Sequence, residues 1–297
     1  MMEREQPRAT GGSALARLMV HLVLVLAAVL MVMPFLWMIS TSLKIDADVF
    51  AVPPRWIPTE FDFANYRDAF QAIDMDRLYV TTSIVTGISV ITQVLFGAMA
   101  GYPFARLRFP GRTILFTALL ITMMVPFEVL VLPTFLLARA FPLVGGNDLT
   151  GSGGTGLLNS YGGLLLPHLL AVFNIFLFRQ FFRGFPNDLE DAAALDGCSR
   201  SRFFWTILLP NSKPVIGTVA LFSFLWSWND FLWPLVVARD QNFWTLQVGL
   251  ATFNQESGTQ WAELMAASVI ATIPVLLLFL IFQRFLVQGV ATSGLKG

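Results

Sequence analysis

Residues 18–40 read LMVHLVLVLAAVLMVMPFLWMIS, an apolar run whose only ionisable side chain is His21. A helix needs about 20 mostly apolar residues to cross the hydrocarbon layer of a bilayer. This run meets that length, and no small-residue cleavage site follows it. We therefore interpret it as a retained membrane anchor and not as a secretory signal.

Five further apolar stretches of similar length follow in the 297-residue chain. The six predicted spans run approximately over 18–40, 79–105, 113–137, 163–182, 215–238 and 264–287. Only 13% of the residues are charged and 56% are hydrophobic, whereas a soluble domain carries about 25% charged residues. None of the stretches alternates with a period of two. The sequence predicts an all-α integral membrane protein in which residues 1–297 form a single transmembrane domain.

Basic residues predict the orientation of these spans, because Lys and Arg accumulate in cytoplasmic segments. Thirteen lie in one alternating set of connecting segments, and six lie in the other. The larger set consists of Arg4, Arg8, Arg17, Arg106, Arg108, Arg112, Arg179, Arg183, Arg200, Arg202, Lys213, Arg284 and Lys296. We expect this side, including both termini, to be cytoplasmic.

The cytoplasmic segment 184–214 reads GFPNDLEDAAALDGCSRSRFFWTILLPNSKP and is called the coupling segment below. Asn187 followed by Glu190 has the spacing of a capping box at a helix start. Acids favour the first turn of a helix, and the alanines at 192–194 are strong helix formers. Gly197 suits the left-handed position that ends a helix. These features predict a helix of about nine residues, roughly 13 Å long.

A second, amphipathic helix is expected after Gly197, ending at Pro210. Its apolar side would carry Phe203, Phe204, Ile207 and Leu208. The smooth alanine surface of the first helix suits docking into a groove on another protein. A solvated cytoplasmic loop with helical content is the alternative.

The coupling segment resembles the EAA loop of permeases from binding-protein-dependent ABC importers. The matching positions are Asp191, Ala192, Ala193, Gly197, Ile207, Leu209 and Pro210. The family's usual glutamate is Asp191 here, directly after Glu190, so either acid could meet the partner. The resemblance implies a coupling helix that sits in a cleft of a partner ATPase. The residues it assigns to coupling are Glu190, Asp191, Ala192, Ala193, Asp196, Gly197, Leu209 and Pro210.

Four other stretches are similar to the carbohydrate-uptake branch of that family. They are PFLWMISTSLK at 34–44, FDFANYRDAF at 61–70, WSWNDFLWPL at 226–235 and the terminal GLKG. The resemblance implies a sugar-importer subunit in the bacterial cytoplasmic (inner) membrane. It also implies a heterodimer with a second permease, two copies of an ATPase subunit and an extracellular solute-binding protein. Related importers carry glycerol phosphates or polyamines, so another solute is the alternative.

Energy coupling by this chain alone is not expected, because the sequence carries no Walker-type motif. ATP and Mg would be bound by the partner ATPase, and this chain would bind no cofactor. With only His21 and His168, and no cluster of acids at metal-ligand spacing, a metal site or a membrane-embedded enzyme has little support. The neutral formal charge gives no indication of nucleic acid. An ion-driven secondary transporter would usually show internal repeats, and we find none between the halves.

Polar residues inside predicted spans form a candidate translocation pathway, since charges there are costly and face a cavity or a partner. The candidates are Glu128, Trp226, Asn229, Asp230 and Trp233. Aromatic faces beside amide and carboxylate groups suit a sugar. The alternative, which we favour, is that the acids brace one helix against another and the aromatics pack. For His168 we likewise expect a structural hydrogen bond.

Two outer segments carry recognisable local patterns. Phe63, Tyr66 and Phe70 predict a short amphipathic helix at the membrane interface. The stretch GGNDLTGSGGTG at 145–156 lacks the Lys-Ser/Thr of a phosphate-binding loop, so we expect a flexible outer loop.

Overall fold

The structure is a computed structural model that describes residues 14–255 and 258–293. Both chain termini, with Arg4, Arg8, Lys296 and the terminal GLKG, lie outside the described residues. Within them the fold consists of fourteen α-helices, short 3₁₀ and π turns, and one pair of two-residue antiparallel strands. This architecture confirms the predicted all-α class.

The helices are numbered α1 to α14 in chain order, and the two strands are β1 and β2. Their bounds are α1 Ala14–Ser42, α2 Asp46–Val49, α3 Ala64–Ala72, α4 Met75–Arg106, α5 Arg112–Thr122, α6 Phe127–Arg139, α7 Tyr161–Leu165, α8 Val172–Arg183, α9 Asn187–Leu195, α10 Arg200–Phe203, α11 Lys213–Trp228, α12 Leu232–Val237, α13 Leu246–Ala251, β1 Asn254–Gln255, β2 Gly258–Thr259 and α14 Trp261–Ser293.

Three helices, α1, α4 and α14, are long and apolar enough to cross a membrane, and three bent helix pairs raise the possible crossings to six. The prediction of about six spans is thus confirmed, but three of them are not continuous helices. In the third predicted span, α5 and α6 meet at an angle of 100°. Pro126 directly precedes α6 with an extended ψ of 137°. Proline removes a helical hydrogen bond and disfavours helix in the residue before it, which explains the break.

The fourth and fifth spans are bent less. The 3₁₀ turn Leu166–His168 separates α7 from α8, and the two parts differ in direction by 46°. The second helix of the coupling segment ends at Leu208, just before Pro210, which confirms the predicted stop. Pro210 begins the 3₁₀ turn Pro210–Ser212, and the chain continues into α11 with a bend of 41°. The fifth span then breaks after Trp228 and resumes as α12.

Helix α4 lies at the centre of the fold, between α8 and α11. Two glycines allow α8 to approach it closely. A Cβ at Gly101 would lie 2.8 Å from the Cβ of Phe178, and one at Gly97 would lie 3.3 Å from the Cβ of Asn174. Small residues serve this purpose at helix contacts in membranes. By contrast, the apolar side chains of α1 are exposed, as expected for a helix that faces lipid.

The segment after α1 contains two buried charged residues, Lys44 and Asp48. Lys44 is fully buried with its Nζ 3.9 Å from the centre of the Trp37 ring. Burial lowers the pKa of Lys44, and the nearby charge of Asp48 opposes that shift. Asp48 accepts hydrogen bonds from Thr59 and pairs with Arg55, at 2.6 Å between carboxylate oxygen and Nη1. The Thr59 bonds, more than the Arg55 charge, hold the pKa of Asp48 below its usual range.

The predicted amphipathic helix of this segment is present as α3. Phe63 and Phe70 are exposed, while the hydroxyl of Tyr66 lies 2.8 Å from the Ser42 hydroxyl. The helix is therefore tied to the end of α1, as a short interfacial helix must be.

The glycine-rich loop is more ordered than the sequence predicts. The side chain of Asn147 donates to the carbonyls of Arg139 and Phe141 and accepts from the amide of Gly154. Asp148 accepts from the amides of Thr150 and Ser152. Glycines at five positions take positive φ, which lets the chain turn tightly. The expectation of a flexible loop was therefore wrong, because Asn and Asp side chains replace the missing backbone partners.

Candidate coupling site and polar core

The coupling segment begins with α9, which has nine residues as predicted. The amide of Gly197 donates to the carbonyl of Ala194, and the amide of Cys198 donates to that of Ala193. These two bonds form a Schellman motif, with Gly197 at φ +74°. The prediction of a glycine-terminated helix is confirmed.

The predicted capping box is not present. Pro186, not Asn187, occupies the N-cap position, and no side chain caps the helix. Asn187 is the first helical residue, and its side-chain oxygen accepts a hydrogen bond from Arg106 of α4. Glu190 also faces Arg106, with 3.4 Å between Oε2 and Nη1. The side chains of Asn187 and Glu190 therefore face a long-range partner and not the amides at the start of their own helix.

The alanines of α9 do not form one uniform surface. Ala193 is buried in a cluster with Phe182, Phe203 and Phe204, whereas Ala192 and Ala194 are exposed. Ala193 thus faces the chain's own core, and its expected place on the exposed docking surface was wrong. A single helix turn presents opposite sides to opposite environments, which the composition AAA cannot reveal.

Large apolar side chains lie on the exposed side of α9. Leu189 is 48% exposed and Leu195 is 90% exposed. With Ala192 they recur at every third position, so they share one face, called the docking stripe below. Asp191 and Asp196 are exposed beside it. An exposed apolar stripe flanked by acids on a short helix can be buried by another protein.

The other two coupling candidates begin the turn into α11. Leu209 is partly buried and Pro210 is exposed. Before them, Phe204–Leu208 forms one π turn, and its buried Phe204 and Leu208 join the same core cluster as Ala193. The expected apolar side of the second helix is therefore confirmed, and it packs within this chain.

The candidate pathway residues divide into two groups. Glu128, Trp226 and Asn229 are exposed, Trp226 to 67%. Trp233 is fully buried, and its indole N–H donates to the carbonyl of Gly163 at 2.9 Å. The Trp233 side chain is therefore closed off within this chain, and its place in the pathway stays a prediction. Its aromatic neighbour Trp228 is likewise buried and donates to the carbonyl of Ala271.

Asp230 has a partner inside the protein. Its Oδ2 lies 2.8 Å from Nε2 of His168, and both side chains are largely buried. The pair connects the break after α11 to the 3₁₀ turn that precedes α8. This geometry supports the bracing interpretation of Asp230 and the structural role expected for His168.

Sequence reasoning missed the polar residues that continue this contact. Asn174 donates to Gln93 Oε1 at 2.6 Å, and Ser223 donates to the same oxygen at 3.0 Å. Gln93 in turn donates to the carbonyl of His168 at 2.9 Å. These five residues, His168, Asp230, Gln93, Asn174 and Ser223, are called the polar core below. Uncharged amide and hydroxyl side chains form no recognisable motif in the sequence. Their position within apolar runs was nevertheless a usable signal.

Across residues 14–255 and 258–293, no group of three or more His, Cys, Asp or Glu side chains could hold a metal ion. The geometry is that of a membrane protein with a helical partner site on one side and a braced polar interior. A family model of binding-protein-dependent transport system inner membrane components matches residues 93–292. The chain belongs to this family. It is a transport permease that depends on a solute-binding protein, and it is not itself an enzyme.

Similar proteins cover nearly the whole chain. It is 33% identical over 284 residues to the arabinooligosaccharides transport system permease protein AraQ of Bacillus subtilis (strain 168), covering 95% of this chain and 96% of that protein. It is 31% identical over 275 residues to the diacetylchitobiose uptake system permease protein NgcG of Streptomyces coelicolor, covering 91% and 86%. It is 30% identical over 282 residues to the sn-glycerol-3-phosphate transport system permease protein UgpE of Yersinia pestis, covering 92% and 95%.

The fold is also similar to a solved structure. A chain in the crystal structure of a bacterial ABC transporter involved in the import of the acidic polysaccharide alginate superposes with a TM-score of 0.77. The sequences are 22% identical, and the match covers 94% of this chain and 99% of the other. This likeness supports the fold.

Proposed function

We propose that the chain is one permease subunit of an ATP-driven sugar importer in the bacterial cytoplasmic membrane. It would pair with a second permease, two copies of an ATPase subunit and an external solute-binding protein. Two of the relatives above are permeases for arabinooligosaccharides and for diacetylchitobiose. The similarity to an sn-glycerol-3-phosphate permease favours a phosphorylated polyol as the second candidate solute.

The observation that carries the ATPase partnership is the geometry of α9. A nine-residue helix ends at Gly197 and exposes Leu189 and Leu195 together with Asp191. Leu189, Ala192 and Leu195 lie on one face of the helix, and a contiguous apolar patch of this kind is a candidate interaction surface. We infer that the docking stripe enters a cleft of the ATPase. Asp191 is the acid that meets the partner, because Glu190 already faces Arg106 within this chain.

Replacing Leu195 with Asp tests this docking directly. The purified permease pair in lipid nanodiscs should retain the ATPase at least about tenfold less well, because a central apolar contact becomes a buried charge. The matched control is Leu149→Asp, since Leu149 is 79% exposed on the outer loop. Equal ATPase retention by the two variants would contradict the proposed docking.

We propose that the solute pathway includes Trp226, Asn229 and Glu128, because these residues are exposed in this chain. Trp226→Ala should raise the KM of uptake at least about threefold, because ring packing against a sugar contributes on the order of 1 kcal/mol. Trp226→Phe keeps an aromatic face and should show a smaller change. An unaltered KM in Trp226→Ala would remove this residue from the pathway.

Orientation is tested by labelling single cysteines with a membrane-impermeant maleimide in a Cys198→Ser background. We expect both termini and α9 on the cytoplasmic side because basic residues concentrate there. Thr150→Cys should react in intact cells, and Asp188→Cys should react only after permeabilisation. The opposite pattern would reverse the proposed topology.

A further inference from the structure

Arg106 is the last residue of α4, and its guanidinium contacts four acceptors around the start of the coupling segment. Its Nε donates to the carbonyl of Phe182 at 2.9 Å, and its Nη2 donates to the carbonyl of Phe185. Its Nη1 donates to the side chain of Asn187 and lies 3.4 Å from Glu190 Oε2. The Arg106 side chain is only 7% exposed.

These acceptors surround the junction between α8 and α9. Phe182 lies in the last turn of α8, where carbonyls have no intrahelical donor and the helix dipole favours a cation. At the other end, α9 has no side-chain cap. A planar guanidinium with five donors can reach the carbonyl at the end of α8 and the side-chain oxygens on α9 at once, which a lysine ammonium cannot do with the same fixed geometry.

The same end of α4 also belongs to the apolar cluster that contains the buried side of α9. Tyr102 lies one turn before Arg106, with its ring 5.2 Å from that of Phe204 and 6.5 Å from that of Phe182. Ala193 belongs to this cluster. The cytoplasmic end of α4 therefore holds α9 by apolar packing on one side and by Arg106 at its start.

We propose that Arg106 is a positioning residue that makes the coupling helix move as one body with the span α4. This inference rests on the proposed coupling role of α9. The three residues between α8 and α9 provide only a short connection. With Arg106 in place, a displacement of α9 by the ATPase is transmitted to α4 and, through its contacts, to α8 and α11.

Hydrogen exchange of the isolated chain in detergent tests the positioning without any partner. In Arg106→Gln the amides of α9 should exchange at least about tenfold faster, because several charge-assisted bonds are lost. Exchange in α1 and α14 should not change. Arg108→Gln is the control, since Arg108 is exposed two residues further along the chain. Wild-type exchange in α9 of Arg106→Gln would overturn the proposal.

The assembled transporter supplies the second readout. Arg106→Gln should retain the ATPase but transport several-fold less solute per ATP hydrolysed, with Arg106→Lys intermediate. A normal ratio of transport to hydrolysis would overturn the proposal. If the docking hypothesis is wrong, Leu195→Asp will retain the ATPase as the wild type does. The exchange experiment remains valid in that case, because it uses the isolated chain.

A further pair of variants applies if Arg106→Gln does not fold. Asn187→Ala and Glu190→Ala each remove one acceptor and keep the arginine. Each should accelerate exchange in α9 by about threefold, in line with the loss of one hydrogen bond. Unchanged exchange in both variants would overturn the proposal.

Discussion

The coupling segment and the polar core both contain acidic side chains, but these side chains differ in their exposure and in their bonding partners. In the coupling segment, Asp191 is exposed, whereas Glu190 faces Arg106 of the same chain. In the polar core, Asp230 is largely buried and bonded to His168. One region presents its acid to a possible partner, and the other bonds its acid within the protein.

The difference follows from the solvent of each region. An unpaired carboxylate in hydrocarbon costs several kcal/mol, so a membrane protein must provide a partner for it. In water the same group is solvated and remains available to another protein. Acids within apolar runs therefore indicate bracing first and transport second, whereas acids on a water-exposed helix stay available to another protein.

The largest expected effect comes from breaking the polar core. Asp230→Leu leaves His168 buried without its partner and should lower the free energy of unfolding by about 3 kcal/mol. The apparent melting temperature in detergent measures this loss. Glu128→Leu is the control, because Glu128 is exposed in the chain and should melt like the wild type. A normal melting temperature and normal uptake for Asp230→Leu would refute the bracing role.

Ala193→Leu should have the next largest effect, because it forces extra volume into a packed cluster at about 1–3 kcal/mol. The matched variant Ala192→Leu changes the neighbouring exposed alanine and should leave stability within about 0.5 kcal/mol. Ala192→Leu should instead weaken ATPase retention. If thermal melting ranked the two variants in the reverse order, the assignment of the two faces of α9 would be wrong.

Gly197→Val should cost about 1–2 kcal/mol, the penalty of a left-handed conformation for a residue with a Cβ. No atom lies within 4 Å of a Cβ at this position, so the cost is in the backbone alone. The helix end should fray, and stimulated ATP hydrolysis should fall although the permease still inserts. Gly197→Asn, which tolerates this conformation, is the control. Full activity of the valine variant would argue against a role for the helix terminus in coupling.

The smallest effect on stability is expected at Asp191. Asp191→Ala removes an exposed acid and should change the free energy of unfolding by less than about 0.5 kcal/mol. It should still reduce ATPase retention, measured by co-purification. Glu190→Ala should retain the ATPase better and instead increase hydrogen exchange in α9. Interchanged results would identify Glu190 as the acid that meets the partner.

The sequence alone determined the features that depend on local chemistry. Apolar runs of about 20 residues define the membrane class, because a bilayer of fixed thickness imposes that length. The end of α9 at Gly197 followed from the freedom of glycine at positive φ. The coupling segment was recognisable because its motif is contiguous in the chain.

Only the tertiary structure decided which partner each polar or small residue has. Asn187 is bonded to Arg106, 81 residues away, and His168 to Asp230, 62 residues away. Ala193 is buried beside exposed alanines, and Trp233 is buried beside exposed candidates for the pathway. A sequence records which groups need partners, but the partner is selected by packing between helices that are distant in the chain, and no local pattern encodes that packing.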